Sequence, residues 1–106
     1  MTTSSERIEL AGTILNQMGG TSKLGAMIGA NTFLALDNGV QFSFKGSREF
    51  NKCVVTLNES MDLYTFQLWK FNSRTYDMVM KYELEGCYCD MLKPVFERET
   101  GLYLSL

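Results

Sequence analysis

The stretch TFLALDNGVQFSFK, residues 32 to 45, constrains the fold most. Asn38-Gly39, flanked by two alternating apolar runs, is the preferred pair for a two-residue type I′ hairpin turn. With Asp37 set opposite Val40, such a turn pairs Ala35 with Phe42 and Phe33 with Phe44 on one face. Leu34 and Leu36 then stand opposite Ser43 and Gln41 on the other. Phe33, Ala35, Val40, Phe42 and Phe44 are therefore expected in a core.

A lone hairpin is marginal in water, so further strands are required. KCVVTLN, 52 to 58, is rich in β-branched residues. LYTFQLWKF, 63 to 71, alternates Tyr64, Phe66 and Leu68 with Thr65, Gln67 and Trp69. TYDMVMKYEL, 75 to 84, sets Tyr76, Met78, Met80, Tyr82 and Leu84 against Thr75, Asp77, Val79, Lys81 and Glu83, a period of two. Five strands result, and Glu85-Gly86 is expected to end the last.

Helices are predicted on either side of this block. Thr3 and Glu6 fit a capping box, after which Ile8, Ala11, Ile14, Leu15 and Met18 recur at helical spacing until Gly19-Gly20, predicting a helix from about 4 to 18. Thr21 or Ser22 would cap a short second helix over 23 to 29, weakened by its two glycines. Near the end, Asp90 suits an N-cap, Leu92, Val95 and Phe96 form an apolar stripe, and Gly101 suits a stop. LYLSL, 102 to 106, reads as a short strand or an apolar tail. The predicted fold is α+β: one domain over residues 1 to 106, with a mostly antiparallel sheet of about five strands and the N-terminal and C-terminal helices packed on one face.

Composition narrows the chemistry. The chain contains no histidine, which removes Ser-His and Cys-His nucleophile pairs, His-containing zinc sites and the commonest general base. Cys53, Cys87 and Cys89 are odd in number and include no C-x-x-C pair, so they are expected as reduced, buried structural thiols. Acidic residues such as Asp37, Asp62, Glu83, Glu85 and Asp90 stand in no catalytic spacing. No enzyme, cofactor or metal is expected.

The net charge of −2 and pI near 5.0 give no broad positive field for nucleic acid or an anionic membrane. MTTSSERIEL lacks the pattern of a secretory signal, and no apolar run approaches the about 20 residues that span a bilayer, so a cytoplasmic location is expected.

The glycine-rich QMGGTSKLGAMIGAN, residues 17 to 31, matches neither a Walker A loop nor a dinucleotide fingerprint, because it follows a helix and places Lys23 ahead of Gly25. Gly20, Ser22 and Lys23 form only a weak anion-loop candidate at a helix start, and the glycines read better as helix punctuation and close packing.

The second sheet face is the more informative feature. Uninterrupted alternation puts Leu34, Leu36, Gln67, Trp69, Phe71, Val79 and Lys81 together there, a mixture of apolar and polar side chains that includes the chain's one tryptophan. This predicts a face for a protein partner or for self-association, unless the domain's own segments cover it. The alternative partner is single-stranded nucleic acid, with Trp69 and Phe71 as stacking platforms and Lys52, Lys70, Arg74 and Lys81 near the backbone.

Gln17-Met18-Gly19-Gly20, Met27-Ile28-Gly29-Ala30, Val54-Val55-Thr56-Leu57-Asn58, Asp62-Leu63-Tyr64, Tyr88-Cys89-Asp90-Met91-Leu92 and Thr100-Gly101-Leu102 carry a loose likeness over most of the chain. On these runs the sequence resembles a family of small uncharacterised proteins encoded by phages, prophages and conjugative elements. The resemblance implies a mobile-element origin, and it transfers no site residues.

Overall fold

The computed structural model describes residues 4–58 and 60–102, with side-chain surroundings described from residue 8 onward except at 21–23. The Thr3–Glu6 capping box, residues 103–106 of the apolar tail, and the side chains of Ser22 and Lys23 fall outside what is described.

Two helices open the chain, α1 (Ser4–Gln17) and α2 (Thr21–Ile28). Gly19 and Gly20 both have positive φ, and the Gly20 N–H closes α1 by donating to the Leu15 carbonyl at 2.8 Å. Gly20, rather than Thr21 or Ser22, takes the N-cap of α2, and Gly29 at φ 63° ends it. Five strands follow: β1 (Asn31–Leu36), β2 (Gly39–Ser43), β3 (Lys52–Asn58), β4 (Leu63–Asn72) and β5 (Asp77–Cys87). A 3-10 turn (Cys89–Met91) then leads into α3 (Leu92–Thr100), whose N-cap is Met91 in place of the expected Asp90. Pro94 lies in its first turn, where a missing N–H costs least.

All strand pairings are antiparallel and the order is β1-β2-β3-β4-β5, so each strand pairs with its neighbour in sequence. Register sorts the side chains into rows across the sheet. Val40, Val55 and Phe66 form one row, and Phe42, Cys53 and Leu68 the next. All six are buried, and they pack with Ala11, Ile14, Leu15 and Met18 of α1, Leu24 and Ile28 of α2, and Leu92, Val95 and Phe96 of α3 in one continuous core. Phe96 is the hub of an aromatic cluster, its ring centroid 5.0 Å from Phe44 and 6.4 Å from both Phe42 and Phe66.

Within the sheet, three further expectations are corrected. The hairpin loop is Asp37-Asn38, with Leu36 opposite Gly39 and Ala35 opposite Val40, and none of Asp37, Asn38 and Gly39 has positive φ. Gly39 is instead buried inside β2, where a Cβ would overlap the Val55 carbonyl oxygen on β3. Close strand approach, not turn conformation, is what demands glycine here. Ala35 is exposed, lining a shallow groove with Ile8, Ala11, Gly12 and Leu15 of α1, while Phe33 is half-buried against the core with its ring 5.6 Å from Phe42.

Glu85-Gly86 does not end β5. Gly86 adopts φ 69° within a register shift between Tyr64 and Phe66, so the strand bulges and continues to Cys87.

The third correction concerns Val79. Leu68 pairs with Tyr82 but Trp69 pairs with Met80, which leaves Lys81 as the extra residue of a bulge. Because side chains alternate with period two, one inserted residue exchanges the faces of everything upstream in β5. Val79 therefore stands opposite Lys70, on the face away from Trp69, while Met78 and Met80 join Trp69 instead.

Candidate interaction face

The face opposite the helices is built from rows of its own. Leu34, Gln41, Val54, Gln67 and Glu83 form one row across all five strands, and Asn31, Ser43, Lys52, Trp69 and Met80 form the next. Leu36, Gly39, Thr56 and Thr65 make a third. Of the predicted face residues, register brings Leu34, Leu36, Gln67, Trp69 and Phe71 together, places Lys81 in the bulge at the rim, and sends Val79 to the other side.

All three helices join the core on the Phe42 side, and among the described residues none crosses the Trp69 side. Leu34, Met78 and Met80 are accordingly exposed, and Leu36, Gln67, Trp69 and Phe71 are half-buried by their own neighbours.

Polar groups hold the aromatic rings in place. The Trp69 indole Nε1 donates to Gln67 Oε1 at 3.0 Å, and Gln67 Nε2 donates to Glu83 Oε2 at 2.7 Å, a chain that fixes both the indole and the amide. Asn51 takes the place of a strand residue beside Phe71: its Nδ2 donates to the Phe71 carbonyl at 2.8 Å, and its Oδ1 accepts from the Phe71 N–H at 2.7 Å. The Lys52 ammonium lies 5.3 Å from the Phe71 ring centroid while donating to Ser43 Oγ at 2.8 Å. At the end of the β4–β5 hairpin, Tyr76 stands edge-on to Phe71 at 6.5 Å, 80% exposed. The result is a preorganised surface of rings and thioethers interleaved with hydrogen-bonding groups.

A polar cleft at the other end of β4 is the feature sequence reasoning missed. Gln17, Asp62, Tyr64, Tyr88 and Cys89 line a depression of about 440 Å³, which shares Met61, Leu63 and Tyr64 with a neighbouring one of about 350 Å³. Burial raises the Tyr64 phenol above its ordinary value against the opposing effect of a hydrogen bond with Gln17. Gln17 Oε1 itself is buried with no partner. The one sequence signal for this cleft was the Asp62 turn, which adopts φ 54°.

The cysteines divide. Cys53 and Cys87 are buried as expected, and burial pushes both thiols upward, most strongly Cys53, so neither is a ready nucleophile. Cys89 is exposed, contrary to expectation. No set of three His, Cys, Asp or Glu side chains among the described residues is grouped to hold a metal ion, and no described helix is long and apolar enough to cross a membrane. The anion-loop candidate falls on the first turn of α2, with the Gly20 carbonyl already accepting from the Leu24 N–H at 3.0 Å.

No family model, curated protein or solved structure matches the chain.

Proposed function

We propose that the protein is a small binding module, an accessory protein of a phage or related mobile element, which engages a protein partner through the Trp69 face and acts by binding rather than by catalysis. It would work in the cytosol of a bacterium or of the infected host, without a cofactor. The mobile-element assignment rests on the sequence resemblance alone. The observation that carries the binding role is the row of Lys52, Trp69 and Met80, with Phe71 and Met78 alongside, which no described segment covers. Tryptophan and methionine are enriched in interface cores, methionine adapts to irregular partners, and the fixed Gln67 and Lys52 groups supply directional contacts.

Site-specific photo-crosslinking in the native host tests this reading. A benzoyl-phenylalanine at Phe71 is expected to trap a discrete protein, whereas the same probe at Pro94, exposed on α3, is not. Equal yields from the two positions, or none from Phe71, would refute it.

The second reading, single-stranded nucleic acid, is favoured by one observation, the Lys52 ammonium over the Phe71 ring beside Trp69. Glu83 on the same face opposes it. Quenching of Trp69 emission by oligonucleotides at about 50 mM salt, lost as salt rises, would select it over a protein partner.

A further inference from the structure

We propose that the protein dimerises through the outer edge of β5, which pairs antiparallel with β5 of a second copy about Val79. This goes beyond the partner-binding role of the Trp69 face and does not rest on it.

As the terminal strand of the sheet, β5 pairs on one side only among the described residues, so its outer edge presents backbone N–H and C=O groups with no described strand beside them. Natural edges are blunted with bulges and charges. The downstream half of β5 is treated this way: Lys81 bulges, Glu83 and Glu85 carry charge, and Gly86 bulges again. The upstream half is not. Residues 77 to 80 pair in unbroken register with β4, and Met78, Val79 and Met80 are three consecutive apolar side chains exposed at 37%, 52% and 42%. On the opposite edge, β1 is interrupted by a register shift between Asn31 and Leu34, with Thr32 at φ 53°.

The open segment, residues 77 to 80, taken with Lys81 where the bulge begins, reads DMVMK, which is complementary to itself when reversed. A two-fold axis perpendicular to the sheet at Val79 places Met78 opposite Met80 of the second copy, on the Trp69 face. It also places Asp77 opposite Lys81 of the second copy, twice by symmetry. Neighbouring registers lose this match. Centring on Met80 sets Asp77 against Glu83, while centring on Asp77 or Lys81 sets each against its own copy. Both charged side chains are exposed and flank the apolar triplet. The paired product is a ten-stranded sheet in which the two Trp69 faces become one surface.

Sedimentation velocity of the full chain over a micromolar to submillimolar series tests the proposal. A concentration-dependent dimer is expected. Asp77→Lys and Lys81→Asp should each weaken it about tenfold, because each turns attractive cross-strand pairs into like-charge ones. The double variant, with the charges exchanged, should return to near the parent affinity. Val79→Lys should leave a monomer with the parent circular dichroism spectrum. A monomer throughout the series would overturn the proposal, as would a dimer indifferent to these four variants. A dimer lost on Trp69→Ala but indifferent to Asp77→Lys and to Lys81→Asp would overturn the edge and move self-association to the face. Crosslinking from Phe71 is read independently, so either idea can fail alone.

Discussion

Replacing Gly39 separates two reasons for a glycine at this position. If its role were positive φ in a type I′ turn, Gly39→Asn would be nearly neutral, because asparagine visits the left-handed region readily, and Gly39→Ala would cost about 1 kcal/mol. The observed geometry reverses this. A Cβ on Gly39 would overlap the Val55 carbonyl oxygen and lie 2.7 Å from Thr56 Cα and 2.8 Å from the Val55 carbonyl carbon, all backbone atoms of a central strand. Reaching ordinary contact distances of roughly 3.5 Å requires the two strands to part by the order of 1 Å. That would break the bond from the Leu57 N–H to the Asn38 carbonyl, 2.7 Å long, and disturb the ladder around the Gly39–Thr56 pair. Two or three backbone bonds at about 1 kcal/mol each, with loosened packing between Val40 and Val55, give a cost of about 3 kcal/mol or more for either substitution. Urea unfolding followed by far-UV circular dichroism measures it, and the midpoint should fall while the slope is unchanged. A Gly39→Asn protein within about 0.5 kcal/mol of the parent would refute the close-approach account.

Phe96→Ala should cost about 3–5 kcal/mol in the same assay, because the ring is fully buried among three other aromatic rings. Asn51→Ala should cost about 2 kcal/mol and speed amide exchange at Phe71, since both bonds from the side chain to that residue's backbone are lost. Iodoacetamide should modify Cys89 first in the native protein, with Cys53 protected until unfolding, as mass spectrometry of a labelling time course would show. Alkaline pH should destabilise the fold, because burial raises the Cys53 and Cys87 thiols and the Tyr64 phenol above their unfolded values. For Cys53, stability is then fully present below the unfolded thiol value near pH 8.5 and is lost as pH rises, by up to about 1.4 kcal/mol per unit while the thiol stays un-ionised in the fold. Cys53→Ala should flatten that slope in unfolding titrations from pH 8 to 11.

Element type was legible in this sequence because period and punctuation agreed: β3 begins at Lys52 and ends at Asn58 as its β-branched run indicates, and the Leu92, Val95 and Phe96 stripe is the buried side of α3. Register was not legible. Asn38-Gly39 marked the hairpin correctly but set its pairing two residues out in sum, because the turn's local preference yields to the tight contact between β2 and β3, a long-range fact. The face containing Trp69 was half legible for a related reason. Alternation is reliable only between bulges, and nothing in the composition around Lys81 announces one. The inserted residue removed Val79 from the face and substituted Met78 and Met80, making that surface more polarisable and adaptable than alternation implied. Gly86 was misread similarly, since a glycine that stops a strand and one that bends it look alike in sequence.

The position of Phe96 in the chain also has a consequence for biosynthesis. Phe42, Phe44 and Phe66 all lie in segments translated well before α3, yet they share that ring as a common neighbour. A ribosome that has extruded the whole meander has therefore released a sheet whose inner face is still open at its aromatic centre. Closing that centre needs α3, and a transcript cut short before residue 92 is expected to yield a sticky, chaperone-dependent product in place of a shortened version of the domain.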